Sequence, residues 1–396
     1  RLAGDYRMNA VHKPGKPTKA ELAAHDEAVA TAGSKTAPRA IEPGFGGIIG
    51  QDQALNGLQS ALLRNRLPHA LLFNGPRGIG KATSAGVLTQ ALNCVKSGPG
   101  DACGTCSSCH KVERGLHPDV LWVAPHKGRI RLQQISPRKS DNSETAAPHE
   151  PIVNWVGYRP YEGNRRAVVI DDAHKMNPSA QNALLKTLEE PPQSSTLVLI
   201  TPAPSSLLPT IRSRCQTLRF KPLGLALMRR YLEKQLAMSA EEARLRSSLA
   251  PGSLGCAINL DLDAHEARRN VAEGALQDAL QGGAALLTGA ETLLAAGAGE
   301  RKIDQASSAI DAVRDILHDL LVLAVGNQEE MVVNFDRANE WTAWASTLAP
   351  DDIVEALGTL QQADDRLRSP LQPNARLTIE QALIGVGSAL RNKTAK

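Results

Sequence analysis

The stretch LLFNGPRGIGKAT, residues 71–83, decides the fold of this chain. Its first residues are typical of a buried β-strand, and a helical pattern begins at Ala82. Between them stand three glycines that let the backbone curl: Gly75, Gly78 and Gly80. Such a curl turns backbone N–H groups toward an anion, the following helix adds a favourable potential, and Lys81 can reach terminal phosphates. The stretch therefore predicts a phosphate-binding loop in an α/β domain.

One residue departs from the pattern that nucleotide turnover requires. The position after the lysine usually carries a Ser or Thr hydroxyl that binds magnesium, and this chain has Ala82 there. Thr83 comes one residue later and points about 100° away around a helix. Two interpretations remain open: a loop kept as a scaffold after turnover is lost, or a loop that still binds nucleotide in some form.

A second stretch, RRAVVIDDAHKMN at residues 165–177, has the form of a buried strand that ends in two acids. Ligands of doubly wound sheets bind at the carboxyl ends of the strands, so Asp171 could hold a magnesium-bound water. Asp172 stands where a hydrolytic enzyme of this type usually has Glu, and its side chain is one methylene shorter. The alternative is that both acids merely end a strand.

Short apolar runs alternate with helical stretches between residues 46 and 220, which is typical of a parallel sheet covered by crossover helices. The predicted strands are His69–Asn74, Asp119–Ala124, Arg166–Asp171, Thr196–Thr201 and Cys215–Phe220. After Pro222 the strand pattern disappears, and residues with helical spacing continue to the end. Breaks at 250–255 and over the Gly/Ala-rich segment 282–299 suggest a small helical module followed by a larger helical domain.

These changes in pattern give the predicted domain organisation. Residues 45–222 form the α/β domain, 223–264 the small helical domain and 265–396 the larger helical domain. Residues 1–44 have the composition of a loosely docked extension, to which we assign no function. Residues 127–151, rich in polar residues and Pro, are expected to form a mobile surface loop.

Four cysteines have the spacing of a metal site, C-x8-C-x2-C-x2-C: Cys94, Cys103, Cys106 and Cys109. Four thiolates complete a tetrahedral zinc ion and leave no open position, so the predicted site is structural. Disulfides are the poorer alternative in a reducing compartment. His110 is expected to face solvent, and Cys215 and Cys256 are expected to be small buried hydrophobes.

Composition excludes several classes of protein. The 396 residues are 42% hydrophobic, which is enough apolar surface to exclude a wholly disordered chain. No apolar run reaches the roughly 18 residues of a membrane span, and no secretory signal is visible, so we expect a cytoplasmic protein. A net charge of +4 and a total of twelve Phe, Trp and Tyr residues leave little for direct nucleic-acid binding.

Three segments together resemble the AAA+ clamp-loader subunits of bacterial DNA polymerase III. They are the phosphate loop, IDDAHKMNPSAQNALLKTLEEPP at 170–192, and LLPTIRSRCQTLRF at 207–220. The cysteine insertion after the loop's helix is similar to that of the bacterial family, and Ala82 is similar to its delta-prime class, whose nucleotide loop is degraded. The resemblance, dense from 45 to 222, implies an α/β P-loop (AAA+) domain with a zinc knuckle, then a small helical lid domain and an all-α C-terminal collar domain.

The resemblance also implies a role for Arg214. In the family, the motif found here as Ser213-Arg214-Cys215 supplies an arginine finger to the ATP site of a neighbouring subunit. A planar, permanently charged guanidinium suits that role, because it can stabilise charge on the γ-phosphate. An ordinary surface ion pair is the alternative, and Arg212 could take over part of the role. Active members carry an arginine where this chain has Gly255, so a second nucleotide contact is lost.

The expected function is that of a delta-prime stator in a heteropentamer with gamma/tau and delta subunits. Its own binding of ATP and Mg2+ would be poor, and Arg214 would complete the ATP site of a neighbour that places a sliding clamp on primed DNA. One alternative is an active ATPase of the gamma/tau type. Another is a zinc-bearing DNA-binding protein of repair or recombination, although Lys111 and Arg114 are the only cations close to the last three cysteines.

Overall fold

In the residues that the computed structural model describes, five parallel strands form a sheet in the order β2-β3-β4-β1-β5. The strands are β1 Ala70–Asn74, β2 Val120–Val123, β3 Arg166–Ile170, β4 Ser195–Thr201 and β5 Gln216–Arg219. Each one lies within a residue of its predicted bounds, so the predicted parallel α/β domain is confirmed.

The structure describes residues 43–391 apart from 99, 127, 138–148, 300–301, 327–330 and 368–373. The predicted N-terminal extension, 1–44, therefore lies almost wholly outside the described residues.

Helices cover both faces of the sheet. They are α1 Asp52–Leu63, α2 Lys81–Asn93, α3 Ser107–Glu113, α4 Leu132–Ile135, α5 Ile152–Trp155, α6 Pro178–Glu189 and α7 Pro209–Arg212. Side chains of a strand alternate between its two faces. Phe73 thus packs in the cluster that contains Leu88 of α2, and Leu72 packs in the cluster that contains Leu184 of α6. Every residue of β3 and β4 is buried, as expected for strands covered on both sides.

The segment that we expected to be a mobile surface loop, 127–151, is partly built into the core. Ile130 pairs with Met176 in an isolated β-bridge, and the short helix α4 follows at once. Ile130 and Ile135 are both fully buried against the sheet. These two apolar residues anchor the described part near the sheet, so the expectation was wrong there; residues 138–148 lie outside the described residues.

A small helical module follows the sheet. It consists of α8 Leu225–Leu236, α9 Ala240–Leu249 and α10 Leu254–Ile258. Its core is a separate cluster that includes Met228, Leu232 and Ala257. Arg246 fastens the end of the module, because one guanidinium nitrogen donates to the carbonyl oxygens of Ala257, at 2.9 Å, and Leu260, at 2.8 Å.

The regular structure in the described residues beyond this module is all helical, as predicted. Its helices are α11 Leu262–Gln281, α12 Ala284–Ala296, α13 Lys302–Val325, α14 Ala338–Ala345, α15 Pro350–Leu367 and α16 Ala375–Arg391. Helix α11 begins just before the predicted boundary at 265. The Gly/Ala-rich segment 282–299 is mostly helix α12, so the expected break is confined to its two ends, where Gly282 and Gly283 at the start and Gly299 at the finish have positive φ.

Apolar residues at helical spacing form a stripe along one face of helix α13. Its stripe residues are buried in the domain's own core: Ile310, Val313, Leu317 and Leu320. They therefore pack against neighbouring helices of the same domain. Among the described residues, no helix combines the length and the apolar character that crossing a bilayer takes.

Asp119 ties the amino ends of two strands together. It is fully buried at the start of β2, and its carboxylate accepts the backbone N–H groups of Tyr161 at 2.6 Å, Glu162 at 2.9 Å and Gly163 at 2.8 Å. Burial by itself would raise the pKa of Asp119. The three N–H donors and the guanidinium of Arg166, 3.7 Å away, outweigh that effect and hold the pKa below its ordinary value.

We predict that Asp119→Asn lowers the free energy of unfolding by about 2–4 kcal/mol at pH 7, because one of the buried acceptors becomes a donor. The folded pKa lies below the unfolded value of about 3.9, so the carboxylate stabilises the fold fully above pH 4 and less as the pH falls further. Urea unfolding at several pH values measures both effects. Asp263→Asn, at an exposed position, is the control, and an equal loss in the two variants would contradict the prediction.

Candidate functional site

The phosphate loop lies between the end of β1 at Asn74 and the start of α2, as predicted. All three glycines have positive φ: 154° at Gly75, 69° at Gly78 and 96° at Gly80. Gly78 is also required by space, because a β-carbon there would lie 2.3 Å from the hydroxyl oxygen of Ser253. The backbone therefore has the curl that the sequence predicted.

Lys81 is turned onto the loop itself. Its Nζ donates to the carbonyl oxygen of Gly75 at 2.6 Å and to that of Pro76. Burial lowers the pKa of Lys81 to about 8, although the carboxylates of Asp171 and Asp172 act in the opposite direction. A phosphate group placed in the loop would supply the negative charge that this buried ammonium group needs.

The start of α2 offers no hydroxyl in the usual magnesium position. Ala82 has none, and the hydroxyl of Ser84 donates to the carbonyl oxygen of Gly80 at 2.8 Å. A divalent cation at the terminal phosphates would therefore lack its usual ligand from this chain.

The two acids at the end of β3 have different surroundings. Burial raises the pKa of Asp171, whose backbone N–H donates to Val123 at 2.9 Å. Asp172 has φ 47°, which is uncommon for a residue with a side chain, and its carboxylate lies 2.8 Å from Nζ of Lys175. Burial would raise the pKa of Asp172, but Lys175 and Arg77 outweigh it and lower the pKa. Asp172 is thus engaged by a cation of its own segment.

The small helical module rests directly on the phosphate loop. The backbone N–H of Gly255 donates to the carbonyl oxygen of Gly78 at 2.7 Å, and the hydroxyl of Ser253 donates to that of Arg77 at 2.7 Å. A β-carbon at Gly255 would lie 2.9 Å from the oxygen of Gly78. Only glycine permits this close approach, so the packing of the module on the loop requires a glycine at position 255.

Cys256 corrects one expectation from the sequence. It is exposed, whereas Cys215 is buried as expected. It lies on α10 outside the apolar core of the module and beside the phosphate loop, where a β-carbon at Gly78 would lie 2.9 Å from its sulfur. Sequence spacing gave no sign of this contact, because it joins two segments far apart in the chain.

The four predicted cysteines come together between α2 and α3. Their sulfur atoms all lie within 4.8 Å of one another. Cys106 caps the start of α3, and its sulfur lies 3.9 Å from that of Cys94. All six cysteines of the chain are free thiols. His110 is exposed and faces the carboxylate of Glu113 at 3.6 Å, as expected for a residue outside the cluster.

This donor set fits a zinc ion. Four sulfurs at about 2.3 Å from a tetrahedral zinc stand about 3.8 Å from one another, close to the separation of Cys94 and Cys106. The cluster is fastened to α2 by two hydrogen bonds: Gln90 donates to the carbonyl oxygen of Cys109, and Ser108 to that of Asn93. The cluster is therefore compatible with a structural zinc site.

Arg214 stands apart from these two sites, between α7 and β5. Its side chain is 36% exposed. One terminal nitrogen lies 2.8 Å from the carboxylate of Glu189, the last residue of α6, and the other donates to the carbonyl oxygen of Thr210 at 3.1 Å. Arg212 is more exposed. The guanidinium of Arg214 is thus partly accessible to solvent.

Sequence analysis missed three residues that shape these sites: Lys175, Glu189 and Ser253. Lys175 follows Asp172 at a spacing that allows an ion pair, which was a usable signal. Glu189 and Ser253 gave none, because each meets its partner only through the folding of distant segments.

Comparison with known proteins gives concordant matches. Residues 50–224 match the family model described as DNA polymerase III, delta subunit. The tau subunit of DNA polymerase III from Escherichia coli is 30% identical over 325 residues, which are 80% of this chain and 43% of that protein. The tau subunit from Salmonella typhimurium is 32% identical over 276 residues, 68% of this chain and 38% of that protein.

A relative of another subunit type matches the α/β part. The delta' subunit of DNA polymerase III from Bacillus subtilis is 36% identical over 173 residues, which are 44% of this chain and 48% of that protein. The chain thus spans less than half the length of each of these relatives. On these matches, together with the phosphate loop and the parallel sheet, the chain belongs to the family of clamp-loader subunits of DNA polymerase III.

Proposed function

We propose that this chain is a delta-prime-type stator of the clamp loader, which leaves ATP hydrolysis to a neighbouring subunit and contributes Arg214 to that neighbour's site. The observation that carries the proposal is the contrast between the chain's own nucleotide site and Arg214. The chain's own nucleotide site lacks a hydroxyl ligand for magnesium and an unpaired carboxylate at Asp172, whereas the guanidinium of Arg214 is partly exposed at the surface. A subunit of this kind acts in trans.

Three features of the chain's own site support this proposal. Ala82 provides no magnesium ligand, and Asp172 is paired with Lys175 instead of being free to orient water. Gly255 replaces a phosphate-sensing arginine and brings the lid backbone onto Gly78. Each feature removes a different contribution to hydrolysis, so restoring one of them would not restore turnover.

Arg214 has the physical properties that the role in trans needs. A guanidinium remains charged and offers five N–H donors, of which its contacts with Glu189 and Thr210 use a part. The remaining donors can meet the γ-phosphate of a nucleotide held by another chain, where charge develops during transfer.

The four-cysteine cluster completes the proposal as a structural zinc site. Cys94, Cys103, Cys106 and Cys109 would hold the ion and leave it no open position. The ion would cross-link the segment between α2 and α3 and stabilise its fold, and it would take no part in hydrolysis.

The partners follow from the same proposal. Relatives are named tau, gamma and delta' subunits of DNA polymerase III, and we propose a heteropentamer of such subunits with a delta subunit. The helical domain from α11 to α16 would serve as the collar that joins them. The assembled complex would place a sliding clamp on primed DNA in replication.

The main alternative is an active ATPase of the gamma/tau type. The similarity to tau subunits over most of the chain favours it. Ala82 and the ion pair of Asp172 with Lys175 oppose it, because one leaves magnesium without its usual ligand and the other engages the carboxylate that would orient water. The ion pair of Lys111 also argues against a direct DNA-binding role for the cysteine cluster. Nζ of Lys111 lies 2.6 Å from the carboxylate of Glu162, which compensates its positive charge.

We predict that the purified chain binds ATP weakly and shows no dependence on magnesium, because Ala82 cannot bind the cation. Calorimetric titration with ATP, with and without MgCl2, measures this. Ala82→Ser is the matched variant: it should gain magnesium-dependent affinity without gaining turnover, since Asp172 remains paired. Tight, magnesium-dependent binding by the wild-type chain would move the ATPase alternative to first place.

We predict that Arg214→Ala lowers ATP hydrolysis by the complex, reassembled with the tau/gamma-type and delta-type subunits of the same organism. The loss at the neighbour's site should be at least about a hundredfold, given what such arginines contribute elsewhere. The unfolding midpoint should stay unchanged, because the pair with Glu189 is partly exposed to solvent. Arg66→Ala, which removes an exposed cation elsewhere in the α/β domain, is the control, and unchanged hydrolysis in the Arg214 variant would contradict the role in trans.

We predict stoichiometric zinc in the purified chain by elemental analysis. Cys103→Ser and Cys109→Ser should each lose the metal and lower the unfolding midpoint, because a structural site needs all four thiolates. Cys215→Ser and Cys256→Ser remove thiols outside the cluster and should keep full zinc. Metal retained at wild-type levels after Cys109→Ser would exclude the assigned ligand set.

A further inference from the structure

Arg214 sits on a platform whose backbone is fixed by buried contacts. Gln181 of α6 is buried, and its amide oxygen accepts the N–H of Leu208 at 2.8 Å while its amide nitrogen donates to the carbonyl oxygen of Ser206 at 3.2 Å. These two bonds tie the segment before α7 to α6. Helix α7 is then anchored by Ile211, which is fully buried.

The backbone at Arg214 continues from this anchor. Its N–H donates to the carbonyl oxygen of Ile211 at 3.1 Å, and the strand β5 begins two residues later, at Gln216. Little freedom is left in the main chain. What remains free is the side chain, whose four carbon–carbon and carbon–nitrogen bonds carry rotamer entropy of about 2 kcal/mol.

Two contacts restrict that side chain, and one comes from a second element. Thr210 lies on α7 itself, whereas Glu189 is the last residue of α6 and approaches from the other side. Together they engage both terminal nitrogens and fix the plane of the guanidinium. A contact at one nitrogen would leave that plane free to turn.

We infer that Glu189 is a positioning residue: its carboxylate holds the guanidinium of Arg214 in the plane that faces the neighbouring subunit's nucleotide. The inference rests on the proposed trans role of Arg214. The contribution of Glu189 is orientation, since exposed ion pairs add little to folding stability. Orientation has a large effect on rate, because a small displacement of a group near the reacting phosphate weakens its contact in the transition state.

Helix α6 connects Glu189 to the segment beside the chain's own nucleotide site. The helix begins beside Met176, whose carbonyl oxygen accepts from Gln181 at 3.1 Å, just after the pair of Asp172 and Lys175. Its other end is Glu189. One helix of twelve residues, Pro178–Glu189, therefore joins the chain's own nucleotide edge to the residue that holds Arg214.

The test uses Glu189→Gln in the complex reassembled with tau/gamma-type and delta-type subunits. Neutralising the carboxylate should lower kcat for ATP roughly fivefold and leave KM within twofold, because ground-state binding does not require the plane to be held. Glu189→Asp, with one methylene less, should give an intermediate rate. Glu190→Gln removes the adjacent exposed charge and should behave as wild type.

Salt and stability separate positioning from structure. The ratio of wild-type to Glu189→Gln turnover should fall toward one as ionic strength rises, because screening weakens an exposed ion pair. The unfolding midpoint of the isolated chain should be the same in both. A lower midpoint together with a salt-independent ratio would assign Glu189 a merely structural role and overturn the inference.

The outcomes distinguish the two proposals. If Arg214→Ala lowers turnover and Glu189→Gln does not, the trans role stands and the positioning role is overturned. If Glu189→Gln raises turnover, the carboxylate restrains Arg214 and the inference is likewise overturned. If Arg214→Ala has no effect, the proposed function fails and the inference fails with it.

Discussion

Parallel hydrogen bonding of β1 to β4, and of β4 to β3, sets the position of every functional group in the α/β part. Because the strands run the same way, their carboxyl ends meet at one edge, where the N–H of Gly75 donates to Thr201 at 3.3 Å. The phosphate loop and Asp171 lie at this edge. The amino ends lie at the opposite edge, where Asp119 holds the backbone of residues 161–163.

The same constraint separates the metal cluster from the phosphate loop. Helix α2 starts at Lys81 in the loop and ends at Asn93, next to Cys94, so its thirteen residues span about 20 Å. At that end, the amide oxygen of Asn93 accepts the N–H groups of Asn164 and Arg165, just before β3 begins. The cysteines are therefore at the opposite edge of the sheet, too far away to take part in phosphate chemistry.

The sequence predicted those features that depend on local pattern. Short apolar runs marked all five strands to within a residue, and the glycines of the loop and the cysteine spacing marked both sites. Contacts between distant segments were not predictable. The four-residue helix α4 carried too few apolar residues to show a period, and the exposure of Cys256 depends on where the lid rests. The contact of Glu189 with Arg214 was not predictable either, because it depends on the packing of α6 beside α7.

Gly255 shows how the absence of a side chain permits a close contact between two backbones. An arginine there would not simply add a contact to phosphate, because even a β-carbon would stand 2.9 Å from the oxygen of Gly78. The lid would have to move off the loop and give up the bonds from Gly255 and Ser253. The closeness of the two backbones therefore makes the seating of the helical module on the phosphate loop a packed arrangement of its own, which any larger residue at position 255 would disrupt.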